Sequence, residues 1–380
     1  MTKSSKREIL RSGGQLDSQF ITPKPGPDKV LRDTPLNCNN IIDNRVINLT
    51  SPDADFNRHL DLYNTENTTF FTELYTKIKC IGSGSFGEVH LAESKEDPNI
   101  RVAVKKNGVK FSNEAKLEQS LNEVKILRIL KGHENIIELK SAWSQSGHTY
   151  LVMEYCEYNL AQISEIKAMT KDEIYSYTSD TLKGLKYMHD MEILHLDIKL
   201  ENILVTNDGV AKLADFGISI QKGTEYAEKA SHEGDGRYLD SETLNGVKEK
   251  SSDMYALGVC LLEMSSDIIL PNTDRERQLI RTGKFPEELK GDIDVNIICM
   301  TERCICVRGV DRITAGELLN MIPRHQRPAK RDVSVIVKSN DIMPNTPLLQ
   351  PERMSKRRHI MKNRLADFCK RPRDAEINLV

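Results

Sequence analysis

His195-Leu196-Asp197, Lys199, Asn202 and Asp215-Phe216-Gly217 follow one another in a single short stretch, and nothing else in the chain restricts its fold as strongly. A lone aspartate, lysine or asparagine carries little meaning. In this order they supply a candidate base, a cation and two candidate metal ligands. Phosphoryl transfer from a magnesium-bound nucleotide needs that set, because the reaction depends on positioning and charge neutralisation more than on covalent chemistry. For these groups to meet one triphosphate, the chain must fold around a crevice that gathers residues far apart in sequence.

The rest of the set lies upstream. The segment IGSGSFGEVH places Gly82, Gly84 and Gly87 ahead of Val89, with Ile81 before them. Its flanks read as strands, so the glycines fall at a hairpin tip, where a backbone without Cβ can fold tightly over phosphates. A glycine pattern of this kind is by itself a weak signal and equally describes an ordinary hairpin. Val102-Ala103-Val104-Lys105 follows about one strand later. A lysine ending an apolar strand is usually a solvated strand end; behind this loop it reads as the cation for the α- and β-phosphates. Residues 113–130 carry Leu117, Leu121, Val124 and Leu127 at helical steps. Glu123 borders that apolar stripe and is the candidate ion-pair partner of Lys105, against the plain alternative of a solvated glutamate like Glu114 or Glu118.

These motifs resemble the protein kinase family over about residues 74–324. The segments EGDGRYLDSETL (233–244), KSSDMYALGVCLLEMSSDIILP with LIRTGKFP (250–286), KSAWSQSGHTYLVMEYC (140–156) and DRITAGELL (311–319) resemble the Wee-type mitosis-inhibitor kinases within it. The resemblance implies roles for matching positions. Asp197 would orient the substrate hydroxyl and accept its proton, and Lys199 would neutralise the moving phosphoryl group. Asn202 and Asp215 would hold Mg2+, and Lys105 would pair with Glu123. Met153 would guard the back of the adenine pocket. Glu154 and Cys156 would lie on the hinge, and Val89, Ala103 and Leu204 would sandwich the ring. Glu242 with Arg312 resembles the buried pair anchoring the activation segment, and Asp253 the helix residue bracing the catalytic loop.

Some positions depart from the general kinase pattern. Leu196 stands where many kinases carry an arginine that docks a phosphorylated activation loop, which implies activity without loop phosphorylation. Leu200 replaces a common proline, and Asp240-Ser241-Glu242 replaces Ala-Pro-Glu. These touch loop geometry and leave the reacting groups intact.

Length and charge agree with one large two-lobed domain between polar extensions. The chain has 380 residues, 38% hydrophobic, with one Trp. No apolar run approaches the ~18 residues of a membrane span, and the N-terminus lacks the apolar core of a signal peptide. Eight cysteines without a CxxC pair point to a reducing compartment. Cys299, Cys304 and Cys306 lie in an apolar helical stretch and read as small hydrophobes rather than metal ligands. Residues 1–70 balance nine basic against nine acidic residues, and 324–380 carry 14 against 6, so the overall −2 leaves −2 − 0 − 8 = −10 for the middle. An acidic domain argues against nucleic-acid binding.

The expected fold is α+β. A β-rich small lobe spans 74–156 with one helix, a helical large lobe spans 157–324, and disordered tails cover 1–73 and 325–380. The resemblance implies ATP and Mg2+ as cofactors. It also implies a monomeric enzyme whose protein substrate is a mitotic cyclin-dependent kinase with its cyclin, inhibited on tyrosine so that mitosis is delayed. A Ser/Thr kinase of another family is the alternative, since Lys199 two residues after Asp197 looks like a Ser/Thr catalytic loop, and a pseudokinase scaffold is a further one. In the tails, Lys356-Arg357-Arg358 and Lys370-Arg371-Pro372-Arg373 read as nuclear-import signals or as a solubilising tail; with the family resemblance the expectation is a nuclear protein. Thr22-Pro23, Thr34-Pro35, Ser51-Pro52 and Thr346-Pro347 read as sites for proline-directed kinases, and Arg58-His59-Leu60 as a loose cyclin-docking pattern.

Overall fold

Alternating apolar residues in 75–154 form strands, and helical periodicity takes over beyond them. A computed structural model describes residues 47–49, 70–84, 87–107, 114–230, 234–270, 277–278, 280–291 and 293–323, all within the unit Cys38–Val380. The tail motifs named above (the import signals, the four Ser/Thr-Pro pairs and the cyclin-docking pattern) lie outside these residues.

The small lobe is a six-stranded antiparallel sheet. Its strands are β1 (Ile47–Asn48), β2 (Tyr75–Gly84), β3 (Gly87–Ser94), β4 (Arg101–Lys106), β5 (Leu139–Gln145) and β6 (His148–Glu154), in the order β1-β5-β6-β4-β3-β2. A short helix α1 (Phe70–Leu74) precedes β2, and α2 (Glu114–Ile129) crosses one face. Packed structure also lies upstream of the expected boundary at 74. Phe70 is 1% exposed and meets the Trp143 ring edge-on at 5.2 Å, and its N–H donates to Gln145 Oε1 at 2.9 Å. Upstream, Ile47 and Asn48 pair with Ser144 and Trp143. Two-residue strands have no period to read, so composition alone hid this edge.

The large lobe begins with β7 (Tyr158–Asn159), α3 (Leu160–Ile166) and α4 (Lys171–Asp190). Thr170 caps α4 through a reciprocal box with Glu173, and the helix matches the expected span 171–189 closely. Short strands β8 (Ile193–Leu194), β9 (Ile203–Val205), β10 (Ala211–Leu213) and β11 (Ile220–Gln221) frame the loops that carry the motif residues. Then come α5 (Glu225–Lys229), α6 (Ser241–Leu244), α7 (Lys250–Ser266), α8 (Glu287–Lys290), α9 (Val295–Cys304) and α10 (Ala315–Met321). Helix α7 runs through the core, and Gly258 lets α9 press against it: a Cβ there would lie 2.6 Å from Cys304 Cβ. Cys304 is buried as expected, whereas Cys299 is exposed on α9 and does not pack as a small hydrophobe.

Candidate active site

The crevice opens between the lobes, with a volume of about 280 Å³. Ile81, Gly82, Val89, Ala103 and Lys105 line it from the sheet, Met153, Glu154 and Cys156 from the strand and turn joining the lobes, and Asn202, Leu204 and Asp215 from below. Gly84 and Gly87 face each other across the β2–β3 turn and do not line the cleft. Sequence reasoning missed several lining residues: Ile137, Glu157, Tyr158, Asn159, Gln162, Glu201 and Ala214. Only the capping signature Asn159–Gln162 at the start of α3 could have flagged part of that wall.

Lys105 lies near the end of β4 with its side chain buried. Its Nζ donates to Glu123 Oε1 at 2.7 Å and to Asp215 Oδ1 at 2.9 Å. Burial disfavours the ammonium charge, but the Asp215 and Glu123 carboxylates outweigh it and hold the lysine above its ordinary range. Burial would raise Asp215; the Lys105 charge and hydrogen bond hold it low, so it stays ionised. Burial lifts Glu123, against the pull of Lys105. One residue each from β4, α2 and the loop after β10 thus meet in one charged cluster.

Below it, Asp197 accepts from Lys199 Nζ at 2.8 Å and from Asn202 Nδ2 at 2.8 Å. Asn202 Nδ2 also donates to the Asp197 carbonyl at 2.8 Å, so the amide oxygen is the group left to ligate a cation. Burial opposes the Lys199 charge, yet its bond to Asp197 raises its pKa. Asp253 on α7 is wholly buried; its carboxylate accepts from the backbone N–H of His195 at 2.9 Å and of Leu196 at 2.7 Å, and contacts His189 Nε2 at 2.9 Å. It braces the loop as the resemblance implied. Leu196 and Asp215 both hold positive φ, 66° and 63°, a backbone that L-residues keep only when their surroundings impose it.

The hinge carboxylate has a structural task of its own. Glu154 Oε1 accepts from the Glu138 N–H and from Lys212 Nζ, both at 2.7 Å. Burial first, with Glu154 adding, pushes the Cys156 thiol up to about 12, so it stays protonated and unreactive.

The expected Glu242–Arg312 pair is replaced. Arg312 binds the neighbouring carboxylate, Asp240, in a buried ion pair, and Glu242 accepts from the Gly309 N–H at 3.1 Å. Asp240 also caps α6 through the Thr243 N–H. The capping geometry turns the Asp240 side chain inward toward Arg312, leaving Glu242, two residues on, to the Gly309 N–H.

Two hard oxygen donors, Asn202 and Asp215, suit Mg2+, which usually takes one or two protein ligands and completes its shell with phosphates and water. Among the described residues no larger group of metal-binding side chains exists.

The protein kinase domain matches residues 75–322. The chain belongs to the protein kinase family. Within it, several curated relatives of this kinase carry Wee-type names. It is 32% identical to a membrane-associated tyrosine- and threonine-specific cdc2-inhibitory kinase, wee-1.3, of Caenorhabditis briggsae, over 68% of this chain and 39% of the relative. It is 33% identical to the kinase of the same description in Drosophila melanogaster, over 67% and 48%. With the mitosis inhibitor protein kinase wee1 of Schizosaccharomyces pombe the figures are 30% identity, 59% and 26%. The matched region is thus less than half the length of each of these relatives. Among the described residues no helix is long and apolar enough to cross a membrane.

Proposed function

We propose that this kinase transfers the γ-phosphoryl group of ATP to a tyrosine of a mitotic cyclin-dependent kinase bound to its cyclin, inhibiting it and delaying mitosis. The observation that carries the reading is the assembled cluster of Lys105, Glu123 and Asp215 above Asp197, Lys199 and Asn202, together with the Wee-type names of several relatives. Magnesium would neutralise the triphosphate charge. Lys105, kept protonated, would hold the phosphates in place, with Glu123 fixing its direction. Asn202 and Asp215 would present their oxygens to the cation. Asp197 would orient the acceptor hydroxyl and take its proton, while Lys199 offsets charge building on the transferred group. The chain would act as a monomer in the nucleus, directed there by the basic clusters of its tail.

The purified protein, incubated with a mitotic kinase–cyclin pair and Mg-ATP, should give phosphotyrosine on the kinase subunit, and Asp197→Asn should lower the rate by about 100-fold or more. Product on serine or threonine alone would move the assignment to a Ser/Thr kinase of another family, a reading that the Lys199–Asp197 contact favours. Absence of magnesium-dependent turnover would leave a pseudokinase scaffold. Unchanged nuclear accumulation after deleting 355–373 would reject the import signal.

A further inference from the structure

Two more side chains of α2 reach the segment that follows Asp215. Gln119 Nε2 donates to the Gly217 carbonyl at 2.7 Å, and Asn122 Nδ2 donates to the Ser219 carbonyl at 2.8 Å. Positions 119, 122 and 123 are three and four residues apart, so they share one face of the helix. One turn of α2 therefore sends two amides and one carboxylate to the same side. The carboxylate holds Lys105, and the amides hold the backbone just beyond the residue that Lys105 also binds. A packed helix moves as a unit, so whatever holds that turn in place also holds Glu123 on Lys105.

Asn122 is buried and Ser219 is wholly buried. Losing the Asn122 donor would strand a buried carbonyl, whose desolvation then goes uncompensated. Both donors are uncharged amides meeting main-chain oxygens. Their hold depends neither on pH near neutrality nor on any phosphate.

We propose that Gln119 and Asn122 are positioning residues, an amide clip that keeps Glu123 on Lys105 and Lys105 on Asp215 while the activation segment carries no phosphate. The proposal rests on the phosphotransferase reading above. Two hydrogen bonds of ordinary net strength shift the balance between helix-in and helix-out states by roughly tenfold or more.

The test is the pair Gln119→Leu with Asn122→Leu in the full chain, alongside the same pair placed on Glu123→Gln. The clip predicts a fall in kcat of roughly tenfold, weaker binding of a non-hydrolysable Mg-ATP analogue, and faster amide hydrogen exchange across 114–129. On the Glu123→Gln background the pair should add little, because the amides act through that carboxylate. Equal losses in both backgrounds, or unchanged kcat and exchange, would overturn the proposal. If the leucine pair does not fold, Gln119→Glu with Asn122→Asp keeps the shapes and removes the donors, and the same readouts apply. Should the wild-type chain show no phosphotransfer, the activity reading fails alone, since analogue affinity and exchange still report on the clip.

Discussion

Gly234 shows how tightly single atoms are placed around the catalytic loop. A Cβ there would sit 2.4 Å from the Leu196 carbonyl oxygen and 3.3 Å from Asp197 Oδ1. The obstacle is backbone, so Gly234→Ala must push either the activation segment or the loop. The next residue, Asp235, donates its N–H to Asp197 Oδ1 at 3.3 Å and would move with it. Displacements near 1 Å at a reacting group cost ~10²-fold in rate. Gly234→Ala should therefore lower kcat by about that factor while thermal melting changes little; a wild-type kcat would mean that the segment is not seated on Asp197. His195 gives a second prediction at this scale. Burial holds its imidazole below the ordinary value, although the Asp253, Asp197 and Asp215 charges pull the other way. Above about pH 6.5 the ring is neutral folded or unfolded, so it contributes nothing. As pH falls below that value, the unfolded chain takes a proton that the folded one resists, and stability is lost. Asp253, held low by the His189 bond against burial, loses its contribution only below the ordinary aspartate range, outside this window. Melting measured at about pH 7.5 and about pH 5.5 should show a lower Tm in acid. His195→Asn should flatten part of that slope and leave the part due to His90 and His133, which burial also holds low. A slope unchanged by His195→Asn would count against the buried neutral ring.

At the scale of elements, the strands and helices that carry motif residues were legible because each has a period. The Lys105 strand is apolar, the Glu123 helix repeats leucines, and α4 has both a stripe and a cap. What escaped the sequence lacked period or local spacing. The resemblance pointed to Glu242 as the partner of Arg312, yet Asp240, two residues earlier and caught in the cap of α6, takes that place. Gln119 and Asn122 look like ordinary helix surface until the segment after Asp215 is laid against them. The edge strand β1 is two residues long, yet Leu49 behind it is 9% exposed and donates its N–H to the Ala142 carbonyl at 3.0 Å. Phe71 stacks near Tyr150 at 6.4 Å between centroids, and Phe70 closes over Trp143. A chain starting at residue 74 loses all of this. Truncating one buried Phe costs about 3–5 kcal/mol, and a domain of this size shifts its Tm by about 2–4 °C per kcal/mol. Such a chain should melt roughly 6 °C or more below one starting at residue 46. Equal melting of the two would show that the sheet does not need its upstream edge.

Across the whole molecule, the described residues that order the activation segment come from both lobes, through apolar packing, amide hydrogen bonds and ion pairs. Leu196, where a phosphate-docking arginine was absent from the sequence, is 7% exposed and packs with Leu194, Ile218 and Ile220, against Tyr226, Ala227 and Ala230. Farther along, Arg237 clasps Asp235 at 2.6 Å and reaches Glu201 at 3.2 Å, tying the segment to the catalytic loop. Arg281 donates to the Leu239 carbonyl at 3.0 Å, and Tyr238 donates to Glu263 at 2.8 Å on α7. A loop that waits for phosphate leaves its cationic dock unfilled until modification and gains charge-assisted bonds only then. Here the same stretch is held by an apolar cluster and by carboxylate partners already present. The purified protein treated with phosphatase should accordingly keep its activity within about twofold, since the position of the usual docking arginine is filled by the buried Leu196. Leu196→Arg should destabilise the protein by burying a charge among apolar side chains, without making activity depend on phosphate. The check is a rate measured before and after phosphatase, with mass spectrometry confirming that phosphate is gone. A tenfold fall that returns on rephosphorylation would mean that a loop phosphate, and not this network, sets the active arrangement.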